Sequence, residues 1–190
     1  MTGRGTRPPD PVHPERRPIA SRRVYEGRRI SVRLDEVALP SGRVARYEVV
    51  EHPGAAAIVA LTAEGQVLLV RQFRQAVGRE LLELPAGTLE PGETPLGCAQ
   101  RELAEEAGRA ARRWEELIWF FPSPGVLTET LHVFLAEGLS VSEAEREEED
   151  LRVESLPLEE AHRRIAAGEI RDSKSIIGIT VARQRLRGDT

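Results

Sequence analysis

The chain has 190 residues, with 31 acidic against 27 basic side chains, a formal net charge of −4 and a pI near 5.7. That length suits one domain with a small flanking element, and the charge balance gives no general pull towards nucleic acid or an anionic membrane. A single cysteine, Cys98, rules out an internal disulfide, and no apolar run approaches the roughly 18 residues that span a bilayer. The N-terminus lacks a signal-peptide core, so the expectation is a soluble, cytoplasmic protein without nucleic-acid or membrane partners. Arginine outnumbers lysine 26 to one, which reads as codon bias rather than phosphate binding.

Residues 1–20, MTGRGTRPPDPVHPERRPIA, are rich in Pro and Arg without periodicity and predict a flexible tail. From Val24 the pattern changes, and residues 21–52 predict an antiparallel sheet ahead of a main domain over 53–190. Within it RRISVRLDEVALPSGRVARYEVVEH gives two or three strands, with a turn at Pro40, Ser41 and Gly42. The apolar runs of AAAIVALTAEGQVLLVRQF predict a hairpin across Ala63-Glu64-Gly65, and RELLELPAG a short strand stopped by Pro85 and Gly87. A helix starts after Thr94-Pro95 and stops at Gly108. Strands near 115–121 and 130–137 follow, then an acidic loop, a strand near 151–156, and helices over roughly 157–167 and 173–187. Strands dominate with helices interspersed, which predicts a mixed α+β sandwich and not a doubly wound parallel sheet.

The helix raises a question of charge. Glu102, Glu105 and Glu106 are related as i, i+3 and i+4, so they share one face, while Leu96, Ala99, Leu103 and Ala107 lie on the adjoining arc and can pack on a sheet. Like charges at this spacing cost a few tenths of a kcal/mol per pair in water, and a divalent cation bound among the carboxylates reverses that sign. The competing reading is a charged solvent face with Arg101 as counter-ion.

The surrounding spacing favours the cation. Gly87, five residues, Glu93, seven residues, then Arg101-Glu102-Leu103-x-Glu105-Glu106-x-Gly108 fixes eight positions across 22 residues. That pattern resembles the Nudix box, with one departure: Arg109 stands where the family usually has an apolar residue. The resemblance implies an α/β/α sandwich of mixed sheets with an N-terminal antiparallel sheet. It also implies Mg²⁺, or Mn²⁺, in hydrolysis of a nucleoside diphosphate linked to another moiety, by attack of water on phosphorus. On that resemblance Glu102 and Glu106 are the principal metal ligands, Glu105 is a further ligand, and the Ala86 carbonyl completes the shell. Glu93 and Arg101 form an ion pair holding the loop to the helix. Gly87 and Gly92 suit sharp loop geometry or close approach of a ligand. Cys98 reads as a packed small residue, not a nucleophile.

Beyond the box, FFPSPGVLTE places Pro124 sixteen residues after Gly108. With VRQFR, ELPAG and RYEVVEH, it is similar to the ADP-ribose pyrophosphatase subgroup, which implies hydrolysis of ADP-ribose to AMP and ribose 5-phosphate. The signature Ser-Gln-Pro-Trp-Pro-Phe of NADH-preferring relatives is not seen; the alternatives are a pyrophosphatase for another nucleotide sugar or dinucleotide, such as GDP-mannose, and a non-catalytic Nudix-like ligand-binding module, against which all the box carboxylates stand. The resemblance puts Arg74 on the diphosphate through its planar fork, and Glu90, Gly125 and Glu129 among the substrate-binding residues. Arg71 is either a second such contact or a solvent-facing strand residue. Tyr25 or Phe73 could stack on adenine, with core packing the assignment for Phe73. In the acidic run SEAEREEED a glutamate orients or deprotonates the water; Glu147 and Glu149 align best, Glu149 ahead.

A two- or three-stranded sheet alone is marginal in water, so the segment 29–51 needs a partner surface, to which Ile30, Val32, Leu34, Val37 and Leu39 could contribute. The subgroup supplies one: a homodimer with exchanged N-terminal sheets. Arg46 and Glu48, one strand face apart by two residues, would then reach the adenosine end of the partner's site. Otherwise they form a surface ion pair.

Overall fold

The computed structural model describes residues 17–142 and 151–188, and the chain divides into two compact units between His52 and Pro53. Residues 1–16, where most of the expected tail falls, and the stretch holding Glu147 and Glu149 lie outside the described residues.

The first unit is an antiparallel meander of β1 (Ala20–Glu26), β2 (Ser31–Ala38) and β3 (Val44–Glu51), paired in that order. β1 starts before Val24, inside what composition marks as tail. The turn after β2 closes with Leu39 N donating to Arg43 O at 2.8 Å, and Gly42 takes φ +80°, which only glycine adopts freely. Side chains alternate across the sheet. On one face Glu36 stands opposite Arg46 and Leu34 opposite Glu48. On the other, Arg33 bonds Asp35 and Glu51, Arg23 also bonds Glu51, and Ser21 donates to Asp35. The five apolar positions 30, 32, 34, 37 and 39 therefore do not form one surface. Val32 and Leu34 lie on the Arg46 face, Val37 is buried beside Asp35 on the other, and Leu39 sits in the turn.

The second unit is built on a seven-stranded sheet, order β10-β5-β4-β9-β8, with β6 beside β5 and β7 beside β4. Its strands are β4 (Ala55–Leu61), β5 (Gln66–Arg74), β6 (Arg79–Glu83), β7 (Ala86–Thr88), β8 (Arg109–Phe120), β9 (Leu131–Val141) and β10 (Arg152–Pro157). The helices are α1 (Pro95–Ala107), α2 (Leu158–Ala166) and α3 (Ser173–Arg187). β4 and β9 run parallel and the other pairs antiparallel, so the sheet is mixed. β4 reads as an unbroken apolar run because both its faces are covered. Ala55, Ala57 and Val59 join a core with Leu69, Leu84, Val133 and, from the helices, Ala161, Ile179 and Ala182. Ala56, Ile58 and Ala60 join a second core with Cys98, Ala99 and Leu103 of α1. The result is the α/β/α sandwich. Gly178 brings α3 onto the sheet: a Cβ there would meet Leu84 Cδ1 at 2.7 Å.

Three local expectations change. β8 begins at Arg109, directly after α1, rather than near 115; its Arg-Ala-Ala-Arg-Arg start has no strand pattern, and pairing with β9 imposes the conformation. β7 is an additional strand made by the residues taken as a stop. On α1 the buried face is Cys98, Ala99, Leu103 and Ala107, while Leu96 is largely exposed.

Candidate active site

Local sequence sets α1 in place. The Thr94 hydroxyl accepts the Gly97 N–H at 3.1 Å, Pro95 opens the first turn, and Gly108 ends the helix in the left-handed conformation, φ +62°. Before it, Gly92 at φ +81° turns the loop, and Glu93 N donates to Glu90 O at 3.0 Å. Glu90 N in turn donates to the Glu93 carboxylate at 3.0 Å, and the Glu90 residue is exposed.

Arg101 gathers the acidic side chains. Its Nε and Nη2 contact the two oxygens of Glu93 at 3.0 and 3.1 Å, and Nη2 also donates to Thr88 O at 3.1 Å. Nη1 donates to Glu102 Oε1 at 2.7 Å and to Glu105 Oε2 at 3.0 Å. The hydrogen bonds from Arg101 hold the Glu93 carboxyl below its ordinary pKa and raise that of Arg101. Glu106 is buried, and its Oε2 accepts the Ala86 N–H at 2.8 Å. Gly87 is needed for the side chain above it: a Cβ would fall 1.7 Å from Glu102 Oε1. Its φ is not positive, so close approach rather than a sharp turn explains this glycine. Cys98 is fully buried, its Sγ 3.4 Å from Gly87 O, and burial pushes its thiol up to about 12, which makes it inert.

Among the described residues no group of three or more His, Cys, Asp or Glu side chains is drawn together as a metal cluster. Glu102 and Glu105 lean on Arg101 instead, and Glu106 on the Ala86 N–H. The donors nevertheless fit a hard divalent cation. They are all carboxylate oxygens beside a backbone edge, and the missing Cβ at Gly87 leaves the Glu102 carboxylate room against β7.

A second assembly is balanced in charge, with Glu83 and Asp172 against Arg74 and Lys174. Glu83, 1% exposed, receives Arg74 Nε at 3.1 and 3.2 Å, Arg74 Nη2 at 2.6 Å and Lys174 Nζ at 2.5 Å. Lys174 also reaches Asp172 Oδ2 at 2.9 Å. Burial alone would raise the Glu83 pKa; the bond from Arg74 and the charge of Lys174 outweigh it and lower the pKa.

The remaining expectations divide. Arg71 is bonded to Glu154 across β5 and β10 at 2.5 Å, an ion pair within the sheet. Phe73 is 54% exposed, so it is not a core residue; it pairs with Glu80 near the turn between β5 and β6, beyond the reach of β10. Gly125 lies in an exposed turn where Ser123 O accepts Leu127 N at 2.9 Å, and Glu129 follows on the way into β9. This loop reaches the sheet beside the box loop: Ala55 pairs with both Leu131 and Thr88, and Ala55 N donates to Thr130 O at 3.0 Å. Arg46 and Glu48 lie in the first unit, where Arg46 Nε meets Glu36 Oε1 at 3.0 Å. Sequence reasoning passed over Glu83 and Lys174. The signal was there, since Lys174 is the lone lysine of the chain.

Comparison with known proteins gives the family and the fold. The NUDIX domain profile matches residues 51–176, and that of the Nucleoside diphosphate sugar hydrolase N-terminal domain matches residues 17–50. The chain is 40% identical over 168 residues to the ADP-ribose pyrophosphatase of Bacillus subtilis (strain 168), covering 87% of this chain and 91% of that protein. It is 42% identical over 165 residues to the ADP-ribose pyrophosphatase of Mycobacterium tuberculosis (strain ATCC 25618 / H37Rv), covering 85% and 80%. A crystal structure of an ADP compounds hydrolase shares the fold, with a TM-score of 0.81 and 21% identity over 94% of this chain and 98% of that one. The chain belongs to the Nudix family, in the branch that joins the Nudix domain to a nucleoside diphosphate sugar hydrolase N-terminal domain.

Proposed function

We propose that this protein hydrolyses ADP-ribose to AMP and ribose 5-phosphate, with Mg²⁺ as the cofactor and Mn²⁺ as a substitute. The observation that carries the reading is the intact set of box carboxylates on α1, in a chain 40% identical to an ADP-ribose pyrophosphatase over most of its length. Glu102 and Glu106, with Glu105 and the Ala86 carbonyl, would hold the cation. The bound cation offsets the charge of a diphosphate and lowers the pKa of bound water towards 7. Glu149 or Glu147 would orient that water; a carboxylate beside a cation is a weak base, so its placement matters more than proton removal. Arg74 would take the diphosphate through its guanidinium edge, and Glu90, Gly125 and Glu129 would contact the rest of the substrate.

In this reading residues 1–20 are a tail, 21–52 a dimer element and 53–190 the catalytic domain. The three-stranded sheet leaves Val24, Tyr25, Val44 and Tyr47 exposed, which supports a second copy as partner, with Arg46 and Glu48 reaching across to its adenosine site. No described helix is long and apolar enough to cross a membrane, in keeping with a cytoplasmic place of action.

The test is a panel of nucleoside diphosphate derivatives with Mg²⁺, products identified by mass. Fast turnover of GDP-mannose or NADH with negligible ADP-ribose cleavage overturns the substrate. For the dimer, inactive Arg46→Ala and Glu106→Gln chains are mixed; one working site per mixed dimer is expected. A monomer by light scattering at micromolar concentration rejects the arrangement.

A further inference from the structure

Lys174 is the only lysine among 27 basic side chains. Everywhere else this chain uses arginine, so codon preference alone predicts arginine at 174 too. The position is also electrostatically wrong for a cation. Lys174 is the second residue of α3, where the helix dipole favours anions. It is held there by Asp172, which caps the helix by accepting the Ser175 N–H at 3.0 Å and takes Lys174 Nζ at 2.9 Å. The Ser175 hydroxyl accepts the Leu84 N–H at 2.7 Å, which stitches the start of α3 to the residue after Glu83.

Lys174 and Arg74 both bond Glu83, and the arginine is the more open of the two. The Lys174 side chain is 13% exposed and that of Arg74 36%. Arg74 uses Nε and Nη2 on Glu83, and among the described residues Nη1 has no hydrogen-bond partner. Lys174 bridges Glu83 Oε2 and Asp172 Oδ2, so the four groups balance, Glu83 is held from two sides, and the Arg74 Nη1 edge is left for another acceptor. The compact ammonium bonds Glu83 and Asp172 at once, at 2.5 and 2.9 Å.

We propose that Lys174 is a positioning residue for substrate binding: it fixes Glu83 so that Arg74 turns its open Nη1 edge to the diphosphate. This rests on the reading of Arg74 above. The expected result is that Lys174→Met raises KM for the diphosphate substrate about tenfold while kcat changes much less, and that Arg74→Ala raises KM at least as far. Because Lys174 acts through Arg74, the double variant should be no worse than Arg74→Ala alone; effects that multiply overturn the proposal. If Arg74→Ala leaves KM unchanged, the role of Arg74 itself fails. If Arg74→Ala raises KM and Lys174→Met does not, only the role of Lys174 fails.

Chemical rescue separates positioning from packing. Lys174→Cys alkylated with 2-bromoethylamine regains an ammonium at nearly the native reach, whereas 2-bromoethanol adds a neutral arm of similar size. Cys98 is fully buried with its thiol pushed up to about 12, so only the new cysteine should react. Recovery of KM with the amine alone is expected. Equal recovery with both reagents, or with neither on a protein whose thermal unfolding matches wild type, overturns the proposal.

Discussion

Arg101 and Glu83 are the centres of two ion clusters with inverted make-up. Around Arg101 one guanidinium faces three carboxylates, those of Glu93, Glu102 and Glu105. Around Glu83 one carboxylate faces two cations, Arg74 and Lys174. The first cluster has more acid than its own base can neutralise, so it gains from an added cation. The second is balanced once Asp172, 2.9 Å from Lys174, is counted, and it leaves one guanidinium edge of Arg74 without a partner among the described residues. A metal-assisted attack on a diphosphate draws on both carboxylates and a guanidinium, and Glu106 stands apart from both clusters, buried against the Ala86 N–H.

The comparison can be broken most severely at Glu106. Glu106→Gln keeps an oxygen for the Ala86 N–H but removes the charge, so turnover should fall by about two decades, roughly 3 kcal/mol. The melting temperature should move by less than about 4 °C. Steady-state assay at saturating Mg²⁺ beside a thermal scan checks both; unchanged turnover would mean the acidic half is only a charged face.

Glu83→Gln strikes the second cluster by leaving Arg74 and Lys174 without their shared carboxylate. Loss of one member of a buried pair costs about 3–5 kcal/mol, and about 3 is expected here because Arg74 reaches solvent. Urea unfolding measures it. The pH dependence follows from the lowered pKa of Glu83. In the window between its folded and unfolded values the unfolded chain binds the extra proton, so this stability is present above about pH 4.5. It drains away as pH falls through the lower folded value. Wild type should lose stability more steeply than Glu83→Gln in that acid range, and parallel curves would remove Glu83 from the argument.

Mg²⁺ sharpens the contrast from the other side. At a hundredfold over its Kd the ion should add about 2.7 kcal/mol to the wild type. Glu102→Gln with Glu105→Gln should abolish that rise while slightly raising the metal-free melting temperature, since like charges on the helix are removed. A Mg²⁺ effect that survives the double change would place the ion elsewhere.

The smallest effect belongs to an arginine–glutamate pair of similar geometry in the first unit. Arg46 and Glu36 meet at 3.0 Å, but the Arg46 side chain is 83% exposed. Arg46→Ala should change stability by no more than about 1 kcal/mol by urea unfolding. A loss of turnover without a loss of stability then reports substrate contact and not folding.

The box was legible because its spacing is a backbone matter: Gly87, Glu93 and the helix from Thr94 to Gly108 are set within 22 residues. The carboxylate face, the caps and the apolar run of β4 follow from local periodicity, and local periodicity survives folding. What failed was mostly non-local. β8 takes its conformation from β9, and the exposure of Phe73 shows only in the folded sheet, whereas the separation of Val37 from Leu34 follows from the alternation of one strand and was open to a local reading.

By itself, then, the sequence determined the family, the shared carboxylate face of α1 and the apolar run of β4. Only the tertiary structure decided that Arg74 is anchored by Glu83, that Lys174 reaches Glu83 from 91 residues away, and that Gly87 is small for the sake of Glu102. The reason is distance along the chain. A helix or strand face repeats within a few residues, but a shared buried charge is settled by whichever distant side chains the sheet brings within about 3 Å, where unpaired burial would be too costly to persist.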